Sequence, residues 1–392
     1  MIVITASNSP LKIAICLAHF HPVVGGAERK MQQLAERWTR CGHRSFVLTR
    51  AMSELPAREM LGDVEINRVI RARQLGPLFG ATFISSLAAH LLRRSREFDV
   101  MVAGQLPWEA VATGIVSRML RKPAVAFAAS TGPQGDVRQL MNAKASRLLG
   151  ALVRRNSRFV ALSGQGHEEL RRLGCRDETI VRSTNGVDLE RFQPADNDCA
   201  DRSRTVLYLS RLVPAKNPQL LLRAWKYVNR EGQYRLLIAG DGPLAGGLRQ
   251  LAHQESLQNV EFLGHVSDVA AAHRQASVFV LPSPSEGCSN ALLEAMAGGL
   301  CPLATRVPGN IDVIRDGING LLFDHDDEQQ LATALSRALT DESMRARLSA
   351  TARDHVIQHH DLDKIAASYV DLFLQLRAPK ETGEPPACGY PA

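Results

Sequence analysis

The feature that most constrains the fold is a repeated change from a short apolar run to a longer segment with helical spacing. In the first half, the apolar runs and the helical segments after them are 12–18 and 27–39, 100–103 and 108–120, and 159–163 and 165–173, with further apolar runs at 45–49 and 124–128. Strands that alternate with helices build a parallel sheet covered on both faces. The alternation restarts at residue 205, after the polar segment 193–204. The pattern predicts an α/β protein with two Rossmann-like, doubly wound parallel-sheet domains.

The length of the chain also favours two domains, because 392 residues with 45% hydrophobic content exceed what one compact core usually accommodates. We predict an N-terminal domain over residues 1–190 and a C-terminal domain over 191–360. A strong helical pattern then covers 361–377, and the Pro- and Gly-rich tail 378–392 is predicted to be disordered.

Charge divides the chain at the same place. Residues 1–190 carry 27 Lys and Arg against 16 Asp and Glu, a net charge of +11, whereas 191–392 carry 20 against 24, a net charge of −4. A basic half suits an anionic membrane surface or an anionic substrate. Aromatic residues make up only 5% of the chain and do not interleave with a basic run, so we expect no nucleic-acid partner.

The chain shows no sign of a membrane span or a secretion signal. No apolar stretch approaches the roughly 18 to 20 residues that a membrane-spanning helix needs, and the start (MIVITASNSP) lacks a cationic region. We therefore expect a cytoplasmic protein. Seven scattered cysteines without a C-x-x-C pair predict neither a disulfide framework nor a thiolate metal site.

Two loops that follow predicted strands carry features suited to an anion. In an open parallel sheet, ligands bind outside the carboxyl ends of the strands, where loops lead into helices. In HFHPVVGGAERK, Gly25 and Gly26 let the backbone approach a ligand, and the next helix offers its positive end. In SRLVPAKNPQLL, Arg211 and Lys216 are two cations in a strand-to-helix loop, as a diphosphate requires, and Asn217 is predicted to cap the helix. Each segment also fits an ordinary turn or solvated surface charges.

The segment IAGDGPL (238–244) is a third loop of this kind. Its glycines let a base or ribose pack flat against the loop, although an ordinary turn has the same composition. Gly240 and Asp241 are the candidate residues.

The segment SPSEGCSNALLEAMAGG (283–299) holds two carboxylates with different surroundings. Its apolar part predicts a short buried helix capped by Ser289 or Asn290, and the amides of Gly287, Cys288, Ser289 and Asn290 are candidates to hold phosphate oxygens. Glu294 lies inside the apolar helix, where an unpaired carboxylate is costly. Its partner is either the vicinal hydroxyls of a ribose or a neighbouring arginine or amide. Glu286, in the preceding loop, can face a second polyol.

Together these residues resemble the retaining glycosyltransferases of family 4, which have the GT-B fold. The matching segments occur in the family's order: HPVVGGAER, NGVD, LSRLVPAKN, AGDGP, and the region SEGCSNALLEAMAGGLCPLATRVPGNIDVIRDGINGLLF with the E-x7-E spacing of Glu286 and Glu294. The resemblance covers the chain from about residue 12 to about residue 377.

The resemblance implies two domains that face each other across a cleft, with a nucleotide-sugar donor mainly on the second and an acceptor mainly on the first. Arg211 and Lys216 would hold the donor diphosphate, and Gly26 would contact it when the cleft closes. Glu294 would bind the ribose and Glu286 the donor sugar. The helix at 361–377 would cross back onto the first domain. We expect no metal and no cofactor, because two cations can offset the leaving-group charge without a metal ion.

The expected activity is transfer of a sugar with retention, in which the departing phosphate takes the acceptor proton. The catalytic residues would then be Glu286, Arg211 and Lys216, acting by positioning and electrostatics. The sequence departs from the family at GQLPWEA (104–110), where several members carry a His, and at Pro308 in place of a glycine. Two alternatives remain: a sugar-nucleotide 2-epimerase of similar fold, and a catalytically silent sugar-nucleotide-binding protein.

The kind of acceptor is inferred only from the basic charge of the first domain. If residues 146–156 are helical, four apolar residues (Leu148, Leu149, Leu152 and Val153) lie opposite three arginines (Arg147, Arg154 and Arg155). Such a helix would lie on an anionic membrane and bring the enzyme to a saccharide or lipid-linked saccharide acceptor. The alternative is an ordinary helix with a solvated arginine face. The family suggests bacterial polysaccharide, lipopolysaccharide or glycolipid synthesis.

Overall fold

The computed structural model describes residues 10–22, 25–73, 77–132, 135–195, 200–229 and 231–378. The predicted disordered tail therefore lies outside the described residues from 379 onward. Fourteen strands in this part of the chain form two separate sheets.

The first sheet is built from the first half of the chain. Its strands are β1 Lys12–Cys16, β2 Arg44–Arg50, β3 Arg58–Leu61, β4 Val64–Ile70, β5 Val100–Ala103, β6 Ala124–Ala128, β7 Arg158–Ala161 and β8 Ile180–Arg182. They lie in the order β3-β4-β2-β1-β5-β6-β7-β8. All neighbours pair in parallel except β3 and β4.

The predicted parallel-sheet domain is confirmed, with one antiparallel pair, β3 and β4, at the edge of the sheet. Only Gly62 and Asp63 separate β3 from β4, and a two-residue connection can join only antiparallel strands. Gly62 has a φ of +57°, a left-handed conformation that glycine adopts at little cost. The hairpin was not anticipated from the sequence.

The second sheet is wholly parallel. Its strands are β9 Thr205–Leu209, β10 Arg235–Ala239, β11 Val260–Gly264, β12 Val278–Leu281, β13 Cys301–Thr305 and β14 Leu321–Phe323, in the order β11-β10-β9-β12-β13-β14. This order reverses direction between β9 and β12, as in a doubly wound nucleotide-binding domain. In the first sheet the reversal lies between β1 and β5.

Helices cover both faces of each sheet, because the strands are apolar on both sides. The helices of the first half are α1 Gly26–Arg40, α2 Pro77–Arg93, α3 Glu109–Leu120, α4 Asp136–Asn142, α5 Ser146–Val153 and α6 Gly164–Arg172. Those of the second half are α7 Ala200–Ser203, α8 Pro218–Val228, α9 Ala245–Gln254, α10 Val269–Arg274, α11 Asn290–Ala297, α12 Pro308–Ile311, α13 Glu328–Thr340, α14 Glu342–His359 and α15 Leu362–Arg377. Among the described residues, no helix is both long enough and apolar enough to cross a bilayer.

The last helix, α15, packs on the first sheet although it follows the second in sequence. Its buried residues join the apolar core that contains β1. The indole Nε1 of Trp38 on α1 donates a hydrogen bond to the carbonyl of Ala366 at 3.0 Å. The chain thus crosses between the domains twice, and the crossings meet where Val187 N donates to His360 O at 2.8 Å.

Candidate active site

The predicted site residues lie between the two sheets, on loops at the carboxyl ends of their strands. Several contacts join the facing loops: Arg29 Nη2 lies 2.9 Å from Glu294 Oε1, Gly164 N donates to Asp312 Oδ2 at 2.8 Å, and Asn185 Nδ2 donates to Cys288 O at 2.8 Å. The reversal point of each sheet borders this region, which is where open α/β sheets bind ligands.

Glu294 is buried on α11, as the sequence predicted. The helix is short and apolar, and the hydroxyl of Ser289 caps it by accepting a hydrogen bond from Leu292 N at 3.4 Å. Ser289 rather than Asn290 is therefore the cap, and the helix ends before Gly298.

The carboxylate of Glu294 is only half satisfied. It is 3% exposed, and Arg29 of the first domain pairs with its Oε1. Its Oε2 is buried and has no hydrogen-bond partner among the described residues. Burial raises the pKa of Glu294 to about 7, whereas the charges of Arg29 and Arg191 act in the opposite direction. The arginine alternative for Glu294 is thus observed, and one oxygen remains available to a ligand.

Lys216 and Glu286 form a second close pair. Lys216 Nζ lies 2.5 Å from Glu286 Oε1, and the Glu286 side chain is 8% exposed. The lysine ends a 3₁₀ turn over Pro214–Lys216, directly before α8. The structure therefore brings together the predicted diphosphate-binding lysine and the predicted sugar-binding glutamate, and their ion pair offsets the cost of burying the carboxylate.

The residue after this lysine does not act as predicted. Asn217 has a φ of +44° and a ψ of +48°, and its side chain makes no capping hydrogen bond. Its Nδ2 instead donates to Asp326 Oδ1 at 2.9 Å. Pro218 begins the helix without a backbone N–H to satisfy, which lessens the need for a side-chain cap.

Arg211 differs from Lys216 in its surroundings. It lies after β9, its side chain is exposed, and among the described residues no carboxylate pairs with it. One of the two predicted diphosphate cations is therefore held in an ion pair, while the other is free to bind an anion.

Gly25 and Gly26 stand at the start of α1. Gly25 occupies the N-cap position, and no side chain caps the helix. A Cβ added at Gly26 would meet nothing within 4 Å. The carboxylate of Glu28, in the first turn of α1, lies against Gly25. Diphosphate binding by Gly25 and Gly26 at this helix N-terminus stays a prediction.

The loop before α11 is held from both domains. Thr184 Oγ1 lies 3.3 Å from Cys288 Sγ, and Asn185 Nδ2 donates to the carbonyl of Cys288. Gly309 permits close packing, because a Cβ there would collide with the carbonyl oxygen of Glu286. The backbone of Gly287, Cys288 and Asn290 is therefore fixed in position, although phosphate binding by these residues remains a prediction.

Gly240 has a packing role that the sequence did not reveal. Its φ is +134°, and a Cβ there would collide with the carbonyl oxygen of Ser210. The loop over 240–244 thus lies directly against the loop that carries Arg211. The carbonyl of Asp241 accepts a hydrogen bond from Leu212 N at 2.9 Å. Base or ribose binding by Gly240 and Asp241 stays a prediction.

Three side chains at the site were missed by sequence reasoning. Arg29 and Lys30 belong to the GGAERK segment, but nothing local indicated that Arg29 pairs with the second domain or that Lys30 is buried. Lys30 is 6% exposed and lies 4.7 Å from the ring centroid of Phe127, and its Nζ has no hydrogen-bond partner among the described residues. Burial lowers the pKa of Lys30 to about 7. The third, Asp312, accepts the hydrogen bond from Gly164 N.

The loop that lacks the family's histidine is tied to the loop after β1. Glu109 Oε1 accepts a hydrogen bond from Ala18 N at 2.7 Å, and Glu109 is 1% exposed. Burial raises the pKa of this carboxyl to about 7. Glu109 therefore braces the neighbouring loop. Among the described residues, His, Cys, Asp and Glu form no group of three or more that could hold a metal ion, and metal independence stays a prediction.

Two doubly wound domains that face each other, with charged loops at their reversal points, form the GT-B fold. The family model described as "Glycosyltransferase Family 4" matches residues 24–191, and the one described as "Glycosyl transferases group 1" matches residues 190–355. The chain belongs to glycosyltransferase family 4.

Individual relatives agree with this assignment. The chain is 26% identical over 365 residues to a GDP-mannose-dependent alpha-mannosyltransferase of Corynebacterium glutamicum, covering 88% of this chain and 85% of that one. It is 31% identical over 209 residues to the Escherichia coli UDP-Gal:alpha-D-GlcNAc-diphosphoundecaprenol alpha-1,3-galactosyltransferase, covering 48% and 53%. The solved structure of Anabaena HepE in complex with UDP matches with a TM-score of 0.75 at 21% identity, over 93% of this chain and all of that one. This last likeness shows the fold alone.

Proposed function

We propose that this protein is a retaining, metal-independent hexosyltransferase that moves a sugar from a nucleoside-diphosphate sugar to an acceptor hydroxyl. The observation that carries the proposal is the pairing of Lys216 with Glu286. Lys216 shares its strand-to-helix loop with Arg211, whose exposed side chain pairs with no carboxylate among the described residues. A donor diphosphate needs cations at this place, and its sugar needs a carboxylate next to them. The mannosyltransferase relative uses GDP-mannose, and HepE binds UDP. Each of these two ligands contains a diphosphate of the kind expected in the donor.

In the proposed reaction, the donor diphosphate takes Glu286's place as a partner of Lys216. Arg211 and Lys216 then neutralise the charge that develops on the leaving diphosphate. Glu286, released from the ion pair, accepts hydrogen bonds from donor-sugar hydroxyls, and Glu294 accepts them from the ribose through its unpaired Oε2. The anomeric carbon loses its bond to the phosphate oxygen and gains one to the acceptor oxygen on the same face. The acceptor proton passes to the departing phosphate.

The test is to incubate the protein with UDP-, GDP-, ADP- and dTDP-sugars and to measure nucleoside diphosphate release, with and without lipid-linked saccharide acceptors. Proton NMR of the product then gives the anomeric configuration, and addition of a chelator tests metal independence. Acceptor-dependent release with retention supports the proposal. Conversion of the donor to its C2 epimer without acceptor would identify an epimerase, and binding without turnover would identify a silent protein.

We also propose that the acceptor is lipid-linked and is met at the cytoplasmic face of a membrane. The Escherichia coli relative acts on a diphosphoundecaprenol-linked sugar. No Asp or Glu occurs between Asp136 and Glu168, and α4 and α5 expose two large apolar side chains in this interval, Met141 (49%) and Leu148 (61%). Three cations, Arg138, Lys144 and Arg147, are exposed beside them.

The structure corrects part of the amphipathic helix that was predicted over residues 146–156. Val153 is buried and Leu149 and Leu152 are half-buried, so these three residues pack on the domain, whereas Leu148 faces outward. The membrane-facing element is therefore the α4–α5 pair, and not a continuous apolar face of one helix. Flotation with phosphatidylglycerol vesicles at low salt tests whether the α4–α5 pair binds a membrane, with Leu148→Ser/Met141→Ser as the variant. Equal flotation of this variant and the unaltered protein would exclude this surface as the membrane-binding one.

A further inference from the structure

A groove of about 690 Å³ opens on the first domain at the amino ends of β6, β7 and β8. It is lined by the last residues of α3, by the residues that lead from α3, α5 and α6 into the three strands, and by Leu376 of α15. The candidate active site lies at the carboxyl ends of the strands, so the groove is at the opposite end of the same sheet. Nothing proposed for sugar transfer uses it.

Among the described residues, seven cations and no carboxylate line this groove. Four of them have local partners. Lys122 Nζ donates to the carbonyls of Ser95 and Phe98, Arg154 Nη1 to that of Leu173, and Arg158 Nη1 to that of Ser157. Arg176 pairs with Glu178 at 3.1 Å.

The other three, Arg118, Arg121 and Arg155, are exposed and form no ion pair with the described residues. Arginines at helix C-termini are individually favourable, because they face the negative end of the helix dipole. That effect does not explain why seven cations meet in one concave place, where Glu178 is the one carboxylate that pairs with them among the described residues. Elsewhere on this protein, exposed arginines such as Arg235 and Arg306 pair with acidic side chains.

We propose that this groove is a binding site for a phosphate-rich anion carrying at least two phosphate groups. Guanidinium groups bind phosphate oxygens in pairs through their planar fork, and several converging forks fit a polyphosphate better than a single carboxylate. The volume suits a small-molecule ligand. The concave shape favours a soluble anion, whereas a lipid head group would have to enter from a flat surface. The ligand is distinct from the donor, since it binds at the other end of the sheet.

The test uses the full chain and inorganic triphosphate, titrated by calorimetry at low salt. The variant is Arg118→Gln/Arg121→Asn, with Asn at position 121 because Arg121 has a φ of +55° and Asn tolerates that conformation. The control is Arg40→Gln/Arg44→Gln, which removes two exposed arginines at the ends of α1 and β2, outside the groove. All of these proteins keep Arg211 and Lys216, and circular dichroism checks their folding.

We expect the groove variant to bind triphosphate about tenfold more weakly or worse, since it loses charge-assisted hydrogen bonds to the phosphate oxygens. The control should change less than about twofold. Flotation with phosphatidylglycerol vesicles forms the second arm. Loss of flotation alone would assign the phosphates to lipid head groups. Equal binding by all proteins, or equal weakening in groove variant and control, would overturn the proposal.

Discussion

Arg29, on the first helix of the first domain, lies 2.9 Å from Glu294, on the short buried helix of the second. The pair joins the two faces of the candidate active site and leaves the other carboxylate oxygen of Glu294 without a partner. Glu294, which is proposed to bind the donor ribose, therefore also forms part of the contact between the two domains.

Replacing Arg29 with Met should destabilise the protein by about 1–2 kcal/mol. Removing one partner of a fully buried pair costs more, but the Arg29 side chain is 26% exposed and partly screened. Urea unfolding measures the change. Arg306→Met, which breaks exposed pairs with Asp316 and Asp324, is the control and should cost less than about 1 kcal/mol. Equal losses of unfolding free energy in the two variants would show that the cross-domain pair contributes no more than an exposed ion pair.

Replacing Lys216 with Ala should lower kcat about 10²–10³-fold, because the leaving diphosphate loses a cation. Lys226→Ala is a matched control: Lys226 lies on α8 of the same domain and also pairs with a glutamate, Glu255, but on the surface. The control should keep its turnover. Steady-state kinetics with the active donor compares the two, and near-normal turnover in Lys216→Ala would exclude it as a catalytic residue.

Glu294 should make stability fall as pH rises. Its pKa is about 7 in the folded protein against an ordinary value of 4.5, so the folded state binds more protons between these values. The contribution is fully present below about pH 4.5 and is lost as pH rises through 7. Thermal unfolding at pH 5 and pH 8 should show a larger drop for the unaltered protein than for Glu294→Gln. Parallel curves would contradict the assignment.

Lys30 should have the opposite pH dependence. Burial lowers its pKa from 10.5 to about 7, so the unfolded state binds more protons between these values, and stability rises with pH across this window. Below pH 7 the ammonium is buried and charged without a hydrogen-bond acceptor. Lys30→Met should therefore raise the unfolding temperature more at pH 6 than at pH 9.5. The reverse order would show that Lys30 is not buried as described.

Ser289→Ala should cost about 1 kcal/mol, the usual loss for an N-cap, and should also raise the KM for the donor. Asp341 caps α14 in the same way, by accepting from Met344 N at 2.9 Å, but lies away from the site. Asp341→Ala should cost similar stability and leave the KM unchanged. A KM shift shared by both variants would indicate a general effect of instability.

Local patterns in the sequence were enough to predict most of the fold. The alternation of apolar runs and helical segments predicted both doubly wound domains, and cap chemistry predicted the short helix that begins after Ser289. The hairpin of β3 and β4 was not predicted, because charged residues interrupt both of its short strands, which therefore give no clear apolar run. Asn217 was assigned a capping role from its neighbour Pro218, yet its left-handed backbone directs the side chain elsewhere.

The sequence by itself determined which residues carry charge near the strand ends, because strand, turn and cap signals act over a few neighbouring residues. Tertiary structure alone decided their partners. The pairing of Arg29 with Glu294, the return of α15 to the first domain and the basic groove behind it all join residues far apart in the chain. Their contacts depend on how two packed domains are oriented, and no local pattern encodes that orientation.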